Sequence, residues 1–248
     1  MHSIPINQYG DLCTELYERL HPVAEAEELD FYLSYARPKH RILEPLCGSG
    51  RFLIPFLRRG LSICGMDSSR PMLDRLRSKA PEAHVIEADL TSFAPDERFD
   101  YIFIPSGSLC LFTDLALLCK ILKNLRSMLT SKGILVFSVD TTATQQTSSK
   151  QVVTASARLE NGLELVLKTR YTYNADTQTQ YAPGLYELYD GEQCLQQEYM
   201  DFQTHLYRPG EMEQLLRKAG IEEISVYSSF QKDTERYNDT PFLLYECR

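Results

Sequence analysis

Arg41-Ile42-Leu43-Glu44-Pro45-Leu46-Cys47-Gly48-Ser49-Gly50-Arg51-Phe52-Leu53 reads as a short apolar strand ending in an acid, a glycine turn and the start of a helix. Gly48 and Gly50 carry no Cβ, so the chain can turn sharply there and a ligand can come close to the main chain. The helix start offers free N–H groups to the same point. In doubly wound α/β domains, a strand-turn-helix of this kind holds nucleotides beyond the carboxyl ends of the strands. The third glycine of the dinucleotide fingerprint is missing, because Leu53 stands in its place.

Further along, three more apolar runs end in acids or small residues. Leu61–Met66 leads to Asp67, Ala83–Ala88 leads to Asp89 and Leu90, and Phe99–Ile104 leads to Pro105-Ser106-Gly107-Ser108-Leu109. Gly133–Val139 reads as a buried fifth strand. Between the strands, Ser68 or Ser69 with Pro71 starts one helix, and Leu115–Leu129, capped by Thr113 and closed by Gly133, makes another. Successive right-handed crossovers then give a parallel sheet with helices on both faces. Residues 8–36 carry leucines at helical spacing and read as one or two amphipathic helices.

Residues 141–207 break this rhythm. A polar loop over 141–149 precedes period-two runs at 152–159, 163–173, 181–189 and 196–207. Asn161-Gly162 and Asp190-Gly191 lie between runs and signal hairpins. A helix from Pro209 and two strands, Ile221–Phe230 and Thr240–Cys247, close the chain.

With these motifs the chain resembles the class I S-adenosylmethionine-dependent methyltransferases. Leu43–Arg51 is similar to that family's first motif, Gly65–Ser69 to its second, Glu87–Leu90 to its third and Phe99–Phe103 to its fourth. The stretch from Leu206 to Gly220 is similar to the penultimate helix. Pro45-Leu46 and Ser49 depart from the commoner small residue and threonine, but no glycine or acid is lost. The resemblance implies a Rossmann-like α/β fold: a seven-stranded, mostly parallel sheet with helices on both faces and an antiparallel last strand. To this the chain adds an antiparallel β insertion. Expected divisions are an N-terminal helical cap over 1–40, a cofactor-binding core over 41–140 and 208–248, and a cap insertion over 141–207.

The resemblance also assigns residues to S-adenosyl-L-methionine. Glu44 would meet the methionyl amino group, with Leu46, Gly48, Ser49 and Gly50 forming the turn. Asp67 has two acceptor oxygens for two ribose hydroxyls, beside Ser68. Met72 would pack on the adenine, although a Met at helical spacing is more often core. Asp89 and Leu90 would recognise the adenine edge, in competition with a plain N-cap role for Asp89. Pro105 and Ser106 would floor the acceptor pocket. For a catalytic base the sequence offers only Tyr9, Tyr17 and His205, and an isolated histidine is more often structural.

Composition narrows the class of partner. A net charge of −8 over 248 residues disfavours a duplex nucleic-acid substrate. No apolar run reaches the roughly twenty residues needed to cross a bilayer, and the start lacks the pattern of a secretory signal. Seven cysteines without close pairs suggest reduced thiols in the cytoplasm, and no metal-ligand spacing is present. The expected reaction is therefore methyl transfer to a small-molecule acceptor, with a homodimer left open. Transfer to protein or RNA is the alternative. A nicotinamide-dependent oxidoreductase fits less well, because it explains neither Glu44 nor Asp89.

Overall fold

The computed structural model describes residues 6–146, 151–234 and 237–248. Two helices, α1 (Asp11–Leu20) and α2 (Ala26–Leu33), precede β1 (Ile42–Pro45), and α3 (Leu53–Leu57) follows the glycine turn. The chain continues through β2 (Ile63–Asp67), α4 (Arg70–Lys79), β3 (His84–Glu87), β4 (Phe99–Ile104), α5 (Leu115–Ser127) and β5 (Leu129–Asp140). The insertion holds β6 (Val153–Arg158), β7 (Glu164–Thr169), β8 (Thr172–Asn174), β9 (Thr179–Tyr181), β10 (Gly184–Asp190), β11 (Gln193–Met200) and β12 (Gln203–His205). It is followed by α6 (Glu211–Lys218), β13 (Ile224–Tyr227) and β14 (Phe242–Cys247).

The main sheet has seven strands in the order β13-β14-β5-β4-β1-β2-β3. β1 to β5 run parallel, while β14 pairs antiparallel with both β5 and β13. Strand order reverses at β1, between β4 and β2, which leaves a crevice at the carboxyl ends of β1 and β4. Side chains alternate between two cores, as a pleat demands. Leu43, Ile102, Leu135 and Phe137 face the core shared with α5 and α6. Ile42, Tyr101, Phe103 and Val136 face the one shared with α2, α3 and α4.

The seven-stranded architecture expected from sequence is the one observed, with local differences. The cap of α5 is Asp114, whose Oδ1 accepts from the N–H groups of Ala116 and Leu117, and not Thr113. Gly133 ends no helix. It lies within β5, where a Cβ would stand 2.8 Å from the Phe99 carbonyl oxygen, so a close strand approach requires glycine. The last helix begins at Glu211 after Gly210, whose φ is +85°, and not at Pro209. The polar run after β5 contains a single 3-10 turn at Thr142–Thr144, and its end at 147–149 lies outside the described residues.

The insertion forms two antiparallel sheets, β11-β10-β7-β6 and β12-β9-β8. Hairpins do form at Asn161-Gly162 and Asp190-Gly191. The long runs at 163–173 and 196–207 each split in two, and a further turn is closed by Asn174 Oδ1, which accepts from the Asp176 N–H at 2.9 Å. Nor is the N-terminal region one cap. α2 buries Phe31 and Tyr32 in the core of the main sheet, whereas α1 packs Leu12, Cys13 and Leu16 against Leu165, Tyr186 and Met200 of the insertion.

α1 is capped from a distant part of the chain. Gly10 provides no side-chain acceptor; instead Glu198 of β11 accepts from the N–H groups of Leu12 (3.0 Å) and Cys13 (2.9 Å). A Cβ on Gly10 would lie 2.5 Å from the Glu198 carboxyl carbon. Glu198→Ala should therefore cost about 1 kcal/mol, a fall in Tm of about 2–4 °C, and Gly10→Ala should cost at least as much. Calorimetric melts of both variants that matched wild type would show that α1 does not depend on this cap.

Candidate functional site

Backbone conformation marks the site first. Leu46 (φ 58°), Gly48 (52°) and Gly50 (87°) in the turn after β1, and Ser106 (54°) and Gly107 (65°) after β4, all adopt the left-handed region. Two non-glycine residues held there, at the carboxyl ends of adjacent strands, carry strain of the kind that collects at functional sites.

Asp67, at the tip of β2, organises the first turn. Its Oδ2 accepts from the Gly48 N–H and its Oδ1 from the Ser69 N–H, each at 2.8 Å. The Ser68 N–H also reaches the carboxylate, which still has acceptor capacity for a ligand. The crevice above is walled by Leu46, Gly48, Asp67, Ser68, Ser69 and Met72 on the core side. Ser69, and not Ser68, caps α4, accepting from the Met72 N–H. On the other side Asn7, Gln8 and Tyr9 lie across the opening, leaving about 110 Å³. Ser69 Oγ donates to the Tyr9 carbonyl at 2.8 Å, and Asn7 Nδ2 donates to the carbonyls of Leu111 and Gln203.

Glu44 is 2% exposed and sits beneath the turn. Burial pushes its carboxyl well above the usual carboxylate range, against the pull of Arg51. The Leu53 N–H reaches the carboxyl group, yet Oε2 has no partner among the described residues. An orphaned buried acceptor is costly unless a ligand donor completes it. An aminoacyl ammonium above the turn would be such a donor. A ribose at Asp67, a thioether-lined slot at Met72 and this carboxylate together fit S-adenosylmethionine. Ligand binding should then ionise Glu44 and release a proton. Calorimetry of S-adenosylhomocysteine binding in buffers of different ionisation enthalpy should show that release, and Glu44→Gln should abolish it while weakening affinity about tenfold. Proton release unchanged by the substitution would remove Glu44 from the site.

Several expected residues lie elsewhere. Ser49 is buried, and its hydroxyl donates to Glu18 of α1. Gly50 packs where a Cβ would meet Leu76 at 2.8 Å. Asp89 is exposed and accepts from the Thr91 N–H at 2.8 Å, which is the plain cap role. Leu90 is buried core. Neither lines the crevice, nor does the buried Pro105. His205 is held 2.9 Å from Glu211 at the start of α6 and packs edge-on against Tyr207. It does not line the crevice, and its ring is turned toward Glu211 of α6.

A larger cavity of about 490 Å³ adjoins the crevice and shares Tyr9, Tyr17, Ser108 and Leu111 with it. Its walls hold three acids, Glu25, Glu28 and Asp140, together with Arg51, Ser106 and the rings of Phe202, Phe230 and Phe242. Glu28 is engaged: it accepts from the Ser106 N–H at 2.8 Å and from the Ser106 hydroxyl at 3.1 Å, while Arg51 donates to that hydroxyl at 2.6 Å. Asp140, at the tip of β5, has a carboxylate with no hydrogen-bond partner among the described residues. Gly107 permits its approach, since a Cβ there would stand 3.0 Å from both oxygens. Burial, reinforced by Glu28, pushes the Asp140 carboxyl up to about 6. Tyr9 and Tyr17 are raised by burial, so their phenols stay protonated at neutral pH.

Glu28, Arg51 and Asp140 had no role in the sequence reading. Asp140 was within its reach, being an acid at the end of a fifth apolar run. Arg51 directly follows the second glycine. For Glu28 no local signal exists.

Residues 42–133 match the sequence profile of a family described as a methyltransferase domain. The chain thus carries a methyltransferase domain spanning β1 to the start of β5. Among curated proteins, none matches the chain in sequence. In solved structures the fold recurs in the CcbJ methyltransferase from Streptomyces caelestis (19% identity, 97% of each chain, TM-score 0.77). It recurs in the sugar N-methyltransferase KedS8 from a Streptoalloteichus species (19%, 100% of this chain and 98% of that one, 0.74). The amino pentose methyltransferase CalS10 from Micromonospora echinaspora, bound to S-adenosylmethionine, also shares it (17%, 100% of each, 0.68).

Proposed function

We propose that this methyltransferase-domain chain moves the methyl group of S-adenosylmethionine to the amine nitrogen of a small-molecule acceptor. The observation that carries the reading is the second cavity. It adjoins the cofactor crevice, and its walls carry three carboxylates: Glu25 is exposed, Glu28 is held by Ser106, and Asp140 has no hydrogen-bond partner among the described residues. Such walls attract a small cation and repel a phosphate backbone. That two structures of the same fold are of a sugar N-methyltransferase and an amino pentose methyltransferase supports nitrogen as the acceptor atom.

S-adenosylmethionine, when bound, supplies an electrophilic methyl on a positively charged sulfur. Glu44, the 46–50 turn, Asp67 and Met72 hold it. Glu28, fixed by Ser106, faces the acceptor's cationic group. Asp140 would take the ammonium proton, which frees the nitrogen lone pair to accept the methyl group that bound S-adenosylmethionine would supply, its sulfonium becoming a neutral thioether. Tyr9 and Tyr17 border both cavities and exclude water, so alignment in a dry site supplies most of the acceleration. Seven free thiols, five of them buried, suit the cytoplasm, and among the described residues no helix is long and apolar enough to cross a membrane.

The test pairs amino sugars and simple amines with their hydroxyl analogues and measures S-adenosylhomocysteine formation. Amines should turn over and the analogues should not. Turnover of the hydroxyl compounds alone would overturn nitrogen as the acceptor.

A further inference from the structure

Beyond Tyr17 the acid-walled cavity has a neighbour. A second space of about 260 Å³ lies between α1 and the four-stranded sheet of the insertion, and it shares Tyr9, Tyr17, His21 and Phe202 with the first. Its character is opposite. No acid, lysine or arginine lines it; its own walls are apolar, with Leu16, Leu167, Ala182 and Met200 among them. One polar group there is unfinished: Thr169 Oγ1 is buried and has no partner among the described residues. From the adjacency of these two spaces and their opposite character we infer that the acceptor is an amphiphile. Its amine lies among Glu28 and Asp140, and an apolar or aromatic body reaches past Tyr17 into the α1–insertion compartment, where a single acceptor atom can meet the Thr169 hydroxyl.

This rests on reading the first cavity as the acceptor site. The size is sufficient, since an apolar cavity of about 150 Å³ already takes a benzene ring. It also gives the insertion a task. β7 and β10, joined by α1, would build the part of the site that tells one amine from another, while the reacting end is walled chiefly by the core.

The probes are butylamine, 4-phenylbutylamine and the neutral 4-phenylbutanol. In the wild-type protein, kcat/KM for 4-phenylbutylamine should exceed that for butylamine by at least about tenfold, as expected when a ring is buried. Ala182→Phe and Leu167→Phe, from different segments, fill the compartment without touching the first cavity. Each should bring the ratio to within about threefold of unity, leaving butylamine turnover and S-adenosylhomocysteine affinity unchanged. Calorimetry of 4-phenylbutanol on the S-adenosylhomocysteine complex reads the compartment without relying on amine chemistry. Binding lost in either folded variant supports it, even if no amine is methylated, in which case the nitrogen assignment alone fails. A wild-type protein that binds no phenyl compound better than its alkyl counterpart overturns the inference. So does a preference that survives both filling substitutions.

Discussion

Asp67→Ala should weaken S-adenosylhomocysteine binding at least a hundredfold. The carboxylate accepts from the Gly48 and Ser69 N–H groups at 2.8 Å, with the Ser68 N–H also directed at it, and has acceptor capacity left for a ligand. The substitution therefore removes two ligand bonds and also the clamp that joins the turn after β1 to the start of α4. Charge-assisted hydrogen bonds are worth roughly 1.5–3 kcal/mol each. Loss of the two ribose bonds alone corresponds to about 3–6 kcal/mol, or two to four decades in Kd. Asp67→Asn separates the parts: its one carbonyl oxygen can hold one N–H, so it should fall between wild type and alanine. Calorimetry on folded variants checks the order. Alanine and wild-type proteins of equal affinity would mean that the nucleoside lies away from β2.

The acids and glycines at strand ends made the core legible, because a buried parallel strand writes itself as a continuous apolar run with an abrupt polar end. That pattern located β1 to β4 and brought Leu46, Gly48, Asp67, Ser68 and Met72 to one crevice. Such an acid can also have a local partner: Asp89 accepts from the Thr91 N–H of its own turn. Asp140 ends β5 much as Glu44 stands near the end of β1, so the same pattern marks it. What sequence could not supply was long-range. Glu28 reaches Ser106 across 78 residues, and Glu198 caps α1 across more than 180. Neither leaves a mark in local spacing. The insertion's strands were recognisable by period two, but not their division into two sheets, which depends on packing against α1.

Asp140→Asn should make the enzyme at least a hundredfold slower and the fold more stable at once. As the carboxylate that accepts the ammonium proton, Asp140 should contribute the factor of roughly 10²–10⁴ typical of a positioned base. The wild-type kcat/KM should rise with pH through about 6, as this carboxyl ionises, and that limb should vanish in the variant. Stability runs the other way. The folded value of about 6 stands above the ordinary 3.8 because burial and Glu28 oppose the charge. Such a group favours the fold fully below pH 3.8, and that contribution disappears as pH rises through about 6. At pH 7.5 the buried charge therefore costs up to about 3 kcal/mol, by the rule of 1.36 kcal/mol per pH unit. Asparagine has no charge to bury, so its Tm at pH 7.5 should exceed that of the wild type by a few degrees, and the gap should close near pH 4. Slower turnover with unchanged or lower stability at pH 7.5 would describe a simple packing defect. A gain in stability with full activity would leave Asp140 a buried charge without a part in the reaction, and Glu28 would become the group to test.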